Sequence, residues 1–450
     1  MQTSEALRPF QTVSVIGLGK LGIPIAACYA ERGYNVIGVD VNPHNVDCVS
    51  RGVSPIYEPG LAEMLAANHD RIQATQDTEQ AVLDSQATFI IVPTPSQEDG
   101  SFSIQYVIDA CEHIGVALRT KNGYHLVVIT STVLPGATDG EIRMVLEKTS
   151  GKRCGRDFGL CYSPEFIALG SVIRDLLYPD FLLAGESDSE AGRLLTAFYE
   201  SICDRRPPIA RMSNVNAELA KISVNSFVTA KIAFANMLAR ICEELPGADV
   251  DVVTNAIGMD SRIGRKYLKG SIAYGGPCFP RDNQALSSVA RQLGAPAYLS
   301  EATDAANQHE TLQLARRVKE YLPLGGSVGI LGLSYKPDTD VVQEAPGLLL
   351  AKALNDEGVR TVVYDPAAME NARAVLGEAT IFAPTSAECI DQSDVVVVTT
   401  PWAEFQKLDA LVWAREGRKR VVIDCWRILN RDDYHSIVDY IPLGEYIVSK

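Results

Sequence analysis

Two doubly wound α/β units flanking one long helix form the fold class this sequence predicts, and three observations predict it. Short β-branched runs alternate with segments of helical period from Thr12 onward, and the alternation restarts near Ser327. Between the two series, "NVNAELAKISVNSFVTAKIAFANMLARICEEL" has no strand pattern and no Gly or Pro. Strand–helix alternation implies a parallel sheet with helices on both faces.

The first series offers "TVSVIGL", "NVIGVDV", "ATFIIVPTP", "HLVVITSTV" and "DFGLCYSP" as strands. Its opening strand runs into Gly17-x-Gly19-x-x-Gly22 and a helix, and the next strand ends at Asp40. Such glycines permit a tight turn, close approach of a pyrophosphate and tight helix–strand packing, while the helix start offers free N–H groups. An acid about twenty residues on accepts from ribose hydroxyls. This is a Rossmann-like dinucleotide site. Asp40 repels a 2′-phosphate and no Arg or Lys follows it in "DVNPHNV", so NAD is expected rather than NADP.

The middle stretch carries apolar residues at helical spacing, with Ser213 or Asn214 as candidate caps. From Val215 to Leu245 it spans roughly 45 Å at 1.5 Å per residue, enough for a central spine or a dimer core. The second series is "SVGILGL", "RTVVYDP", "ATIFAP", "DVVVVTT" and "KRVVIDC". Its "GILGLSYK" has Gly329 and Gly332 alone, an incomplete dinucleotide turn, so this unit is expected to hold the other ligand.

A length of 450 residues suits two or three domains. With 46% hydrophobic and 22% charged residues the composition is that of a globular protein, and a net charge of −15 argues against a general nucleic-acid binder. The ten cysteines include no CxxC pair and no Cys/His cluster at zinc spacing, so no metal is expected and a reducing, cytoplasmic setting is. The opening stretch "MQTSEALRPFQTVSVIGLG" is not expected to act as a secretory signal, and runs such as "ATFIIVP" and "VVVVTTPW" are too short to span a membrane.

The chemistry is expected at "YGGPCFPRDN". Gly275 and Gly276 let backbone approach a ligand, Pro277 and Pro280 fix the path of Cys278, and Asp282 lies four residues on. A nucleophilic thiol needs a nearby positive charge or base. Lys221 and Asn225, one helical turn apart on the long helix, offer donors for a developing oxyanion. Arg262, Arg265, Lys266 and Lys269 form a basic group that suits a diphosphate.

"GLGKLG", "VPTP", "STVLPG", "SPEF", "AELAKISVNSF", "IGMDSRIGRKYLKGSIAYGGPCFPRD" and "GLSYKPDTD" follow one another in an order that resembles the UDP-glucose/GDP-mannose 6-dehydrogenase family along nearly the whole chain. The resemblance implies an NAD-binding domain at 1–210, a helical dimerisation domain with the Cys loop at 211–310, and a nucleotide-sugar domain at 311–450. It implies four-electron oxidation of a sugar C6 alcohol through a thiohemiacetal and a thioester on Cys278, within polysaccharide biosynthesis. Lys221 and Asn225 would steady the oxyanion, Asp282 activate Cys278 or water, Thr132 place the water near the nicotinamide, and Glu165 act as base or as a water-orienting carboxylate. Lys20, Leu21, Thr94, Pro95 and Ser131 would complete the cofactor site. Phe166, Tyr267, Leu268, Lys269, Tyr274, Phe279 and Lys336 would contact the nucleotide-sugar, with Arg262 reaching it across a dimer interface.

Three positions depart from that family's pattern. Leu169 stands where a second acid is expected, Gln343 where an Arg is, and Arg427 is shifted by one. UDP-glucose is the first expectation for substrate, with UDP-N-acetylhexosamine and GDP-mannose as alternatives. The competing functions are a two-electron β-hydroxyacid-type dehydrogenase, which needs no thiol, and a silent nucleotide-sugar or NAD-binding regulator.

Overall fold

Residues 8–415 and 417–447 are described by the computed structural model, which divides into two units between Ile222 and Ser223. The first unit holds an eight-stranded sheet of β1 (Thr12–Ile16), β2 (Asn35–Val39), β3 (Ile72–Thr75), β4 (Ala87–Ile90), β5 (Leu126–Ile129), β6 (Gly159–Tyr162), β7 (Leu182–Glu186) and β8 (Ile209–Ser213). Their order is β3-β2-β1-β4-β5-β6-β7-β8, parallel except where β6 meets β7. β4, β5 and β6 are buried along their whole lengths, as unbroken apolar runs in a sheet covered on both faces should be. The strand order reverses direction between β1 and β4, which opens a crevice at their C-terminal ends.

The second unit repeats the scheme with six parallel strands. These are β9 (Ser327–Leu331), β10 (Arg360–Tyr364), β11 (Thr380–Phe382), β12 (Val395–Val398), β13 (Val421–Asp424) and β14 (Asp439–Pro442), in the order β11-β10-β9-β12-β13-β14. Ahead of them come the helices Val250–Ile257, Phe279–Gln292 and Tyr298–Tyr321.

All ten expected strands form, and β3, β7, β8 and β14 add to them. β3, β8 and β14 are sheet edges, where one neighbour is missing and polar residues are tolerated. "IQAT" and "IARMS" therefore show little of the apolar signal that identifies a strand.

The long helix runs from Asn214 to Glu244, one residue earlier at each end than expected. Asn214 lies inside it and does other work than capping: its Oδ1 accepts from the Tyr162 N–H at 3.1 Å and its Nδ2 donates to Asp139 at 2.9 Å. By length and composition this helix is apolar enough to cross a membrane, which the shorter runs noted above had not suggested. Its buried Glu218, Lys221, Asn225, Thr229, Asn236 and Glu243 instead require protein partners, since such groups are costly in hydrocarbon.

Candidate active site

The glycine turn of the first unit has the geometry its sequence implies. Gly17 sits at φ +100°, and a Cβ there would lie 2.3 Å from the Ile91 carbonyl oxygen. A Cβ on Gly22 would lie 1.8 Å from the Gly17 oxygen, so this glycine seats the helix Gly22–Glu31 against the turn. Gly19 has nothing within 4 Å of its missing side chain, leaving open backbone where a pyrophosphate would approach. Lys20 is exposed and Leu21 directly precedes the helix. Asp40 accepts from the Leu18 N–H at 2.7 Å and the Asn42 N–H at 2.7 Å, and a carboxylate with two such bonds keeps lone pairs for ribose hydroxyls. Asn45, which no sequence motif marks, donates to the Leu18 carbonyl at 3.0 Å and holds the same peptide from its other side.

Beyond β4 and β5, Thr94 donates to the Thr132 carbonyl at 2.8 Å, while the Ser131 hydroxyl both accepts from the Val92 N–H at 2.9 Å and donates to the Val92 carbonyl at 2.7 Å. The two loops are thereby locked together, with Pro95 exposed beside them. Glu218 fixes the loop after Thr132, accepting from the Gly136 and Thr138 N–H groups at 2.6 and 2.8 Å. An open Gly19, a helix N-terminus and an acid at the end of β2 fit NAD, which Gly17, Gly19, Gly22 and Asp40 would hold.

Glu165 and Lys221 meet in this unit. The Lys221 ammonium donates to the Glu165 backbone carbonyl at 2.6 Å and lies 4.5 Å from the centre of the Phe166 ring, so two of its N–H bonds remain for a ligand. Burial pushes the Glu165 carboxyl up to about 7, against the opposing pull of Lys221 and of a hydrogen bond from Tyr199. Glu165 is thus poised to exchange a proton near neutral pH.

In the second unit Cys278 is exposed and occupies the position that opens the helix Phe279–Gln292. A helix N-terminus favours the thiolate, which supplies the positive environment that a nucleophilic cysteine needs. Pro280 in the first turn and Asp282 just behind it are the sequence signature of such a start. Asp282 is buried and accepts from the Asn225 amide at 2.6 Å, while its own N–H donates to the Cys278 carbonyl at 2.8 Å. Asn225 keeps its second amide hydrogen. A Cβ on Gly275 would lie 2.0 Å from the Glu344 carbonyl oxygen. Gly276, at φ +88°, packs on the Tyr335 ring, and its N–H donates to the Gln343 carbonyl at 3.0 Å.

Phe279 lies between Tyr267 and Tyr274, with ring centres 6.0 and 6.2 Å away. Tyr267 is held at φ +62°, Leu268 is buried and Lys269 is exposed. Arg262 is exposed and paired with Asp260 at 2.6 Å. Lys336 lies half-buried in the loop that faces Gly275 and Gly276.

The second unit's turn corrects the reading of Gly329. Gly329 lies within β9 against Ser393, and the glycine that answers Gly22 is Gly347, whose Cβ would meet the Gly332 oxygen at 2.0 Å. Gly332, at φ +108°, answers Gly17. Asp365 stands where Asp40 does, but one of its oxygens takes the Leu333 and Ser334 N–H groups, the Ser334 hydroxyl and the Trp402 indole. The other takes the Ala367 and Ala368 N–H groups. This carboxylate is spent on the protein, and a long loop replaces the compact dinucleotide turn.

The three departures also acquire places. Gln343 contributes its backbone to the Cys278 loop. Beside Leu169 the turn is held by Glu58, whose carboxylate accepts from the Gly170 and Val172 N–H groups at 2.7 and 2.8 Å. Arg427 is a structural tie, reaching Asp251 at 2.8 Å and the Gly270 and Leu443 carbonyls at 2.7 and 2.6 Å.

The packing of Gly276 yields a prediction. Gly276→Ala should lower the thermal midpoint by a few degrees and kcat by about tenfold or more, because the Tyr335 ring must move and the Cys278 loop with it. Wild-type kinetics in this variant would show that the loop's seating is not needed.

Residues 11–203 match the NAD binding domain of the UDP-glucose/GDP-mannose dehydrogenase family, 215–309 its central domain and 329–431 its UDP binding domain. The chain is 37% identical over 433 residues to a UDP-glucose 6-dehydrogenase of Haloferax volcanii, spanning 95% of this chain and 100% of that one. It is 32% identical over 436 residues to a UDP-glucose 6-dehydrogenase of Bacillus subtilis, with 94% and 92% covered. A GDP-mannose 6-dehydrogenase of Pseudomonas aeruginosa is 35% identical over 357 residues, with 78% and 80% covered. Among solved structures, the UDP-glucose dehydrogenase of Pyrobaculum islandicum superposes with a TM-score of 0.89 at 34% identity over 99% of this chain and 100% of that one. With matches to all three family domains along one chain, the protein belongs to the UDP-glucose/GDP-mannose dehydrogenase family and is an NAD-dependent dehydrogenase.

Proposed function

We propose that the protein oxidises C6 of UDP-glucose to the uronic acid in two successive two-electron steps, with Cys278 carrying the sugar between them. The observation that carries this reading is an exposed thiol opening a helix in a loop fixed by Gly275, Gly276 and Asp282. A single alcohol oxidation needs only a base and a hydride acceptor, so such a thiol favours the four-electron reaction over a β-hydroxyacid-type one or a silent regulator. UDP-glucose is preferred because the relatives bearing that name match over nearly the full chain, and those named for GDP-mannose over 78% of it.

NAD, when bound, supplies the acceptor for a hydride from C6 in each oxidation. In the first oxidation the C6 hydroxyl gives its proton to solvent water as the hydride leaves, and Lys221 and the spare amide hydrogen of Asn225 donate to the C6 oxygen while it carries negative charge. The Cys278 thiolate adds to the aldehyde carbon; a C–S bond forms and the carbonyl electrons move to oxygen, giving a thiohemiacetal. Loss of the second hydride leaves a thioester. Glu165 in its ionised form takes a proton from water placed by Thr132, the C–S bond breaks, and the sulfur leaves as thiolate beside the helix N-terminus. Because the carboxyl titrates at about 7, this last step should speed up as pH rises through that value and fade below it. Asp282, anchored by Asn225, holds the first turn of the Cys278 helix and assists deprotonation of the thiol.

The functional protein is a homodimer or a larger assembly of that unit. Phe227, Phe234 and Ile241 recur every seventh residue on the long helix, and each is about half or more exposed, at 67%, 47% and 50%. A seven-residue apolar repeat keeps to one helix face and asks for a partner. All ten cysteines are free thiols, as suits a cytoplasmic enzyme that works through a thiolate.

Purified protein given UDP-glucose should form two NADH for each sugar consumed, and Cys278→Ser should lower net acid formation by roughly a thousandfold or more. Full acid production by Cys278→Ser would overturn the covalent route. Sedimentation should give at least twice the 48.8 kDa chain mass, falling to one chain when Phe234 is replaced by Arg; a wild-type monomer would refute the dimer.

A further inference from the structure

We propose that Tyr199 and Ser163 form a reversible hydroxyl chain that sets the protonation state of Glu165, which makes them positioning residues for thioester hydrolysis. The proposal deepens the assignment of Glu165 as the base and rests on it.

Tyr199 and Ser163 are fully buried, and Glu165 nearly so. The Tyr199 hydroxyl lies 3.4 Å from Glu165 Oε1 and 2.9 Å from Ser163 Oγ, and Ser163 donates to the Leu183 carbonyl at 2.8 Å. A phenol has one hydrogen, so Tyr199 serves Glu165 or Ser163 as donor but not both. With Glu165 ionised, the phenol hydrogen points at the carboxylate in a charge-assisted bond. With Glu165 protonated, the carboxylic acid donates to the Tyr199 oxygen, the phenol hydrogen turns to Ser163, and the serine hydrogen stays on Leu183. Gain or loss of one proton at Glu165 therefore turns the Tyr199 hydrogen from one partner to the other by rotation of that one hydroxyl, while Ser163 keeps its bond to Leu183.

The groups facing Glu165 from neighbouring elements leave this chain in control. Tyr29 and Cys28 on the helix Gly22–Glu31, and Cys203 at the end of the helix Ser189–Ile202, are near enough to feel the charge of Glu165. Burial pushes both thiols up to about 12 and holds Tyr29 and Tyr199 well above the usual phenol range, so all four stay neutral. Lys221, from the long helix, is the charge that faces the carboxyl, and it contributes the same pull in either hydroxyl arrangement.

The two hydroxyls thus have opposite effects. Removing the Tyr199 donor penalises the carboxylate, whereas removing the Ser163 acceptor strands the phenol hydrogen of the protonated form. The test is an infrared titration of the Glu165 carboxyl in the full-length enzyme, its band identified by loss in Glu165→Gln, alongside the pH dependence of kcat. The wild-type midpoint should lie near 7. Tyr199→Phe should move it up by about one unit and Ser163→Ala down by a similar amount, with Ser163→Thr restoring it. Absence of a shift, or shifts in the same direction, would overturn the chain. Opposite infrared shifts with an unmoved kcat limb would support the chain and refute Glu165 as the base.

Discussion

Polar side chains buried on an apolar helix must find partners, and on Asn214–Glu244 these include the loop after Thr132, the Glu165 backbone and the first turns of the helix that Cys278 opens. Glu218 takes two N–H groups of the loop after Thr132, and Lys221 takes the Glu165 carbonyl. Asn225 holds Asp282, and Ser226 holds Asn283 one residue on. Further along, Asn236 accepts from the Ser271 N–H and donates to the Ile272 carbonyl, anchoring the segment that leads into Tyr274 and the Cys278 loop. Each bond is satisfied inside the protein, where leaving either partner unpaired costs about 1–3 kcal/mol. The helix therefore fixes the loops of each unit by its polar residues and leaves its apolar residues for packing.

The two sheets show how one topology is turned to two ligands. Both reverse strand order beside their first strand, and both use a positive-φ glycine and a packing glycine at the first turn. They differ in the acid. Asp40 keeps accepting capacity, whereas Asp365 is saturated by six protein donors, and the loop between Gly332 and Gly347 is far longer than that between Gly17 and Gly22. That longer loop is also the one on which Gly275 and Gly276 pack.

Much of this was legible in the residues. The glycine turn, Asp40, the long helix and Cys278 each carry a local signal, since each depends on spacing along a few turns of chain. The Cys278 helix start was equally local, in Pro280 and Asp282, but the glycines and prolines of "YGGPCFPRDN" are as compatible with a stiff turn as with the start of a helix. Gly347 was hidden by its distance in sequence from Gly332, and the edge strands by their polar composition. Tyr199 leaves no motif, because the helix Ser189–Ile202 brings it to Glu165 from a distance in sequence; Ser163 lies in "SPEF", two residues before Glu165, but nothing in that motif marks it as the partner of Tyr199.

The proposed reaction depends on a sugar held covalently on Cys278 between two oxidations. Rapid-quench mass spectrometry of the intact Glu165→Gln protein turning over UDP-glucose and NAD measures that directly. An adduct of the mass of the UDP-sugar acyl group, mapping to Cys278 and absent from Cys278→Ser, is expected. Acid formation without any adduct, accompanied by free aldehyde in solution, would contradict it.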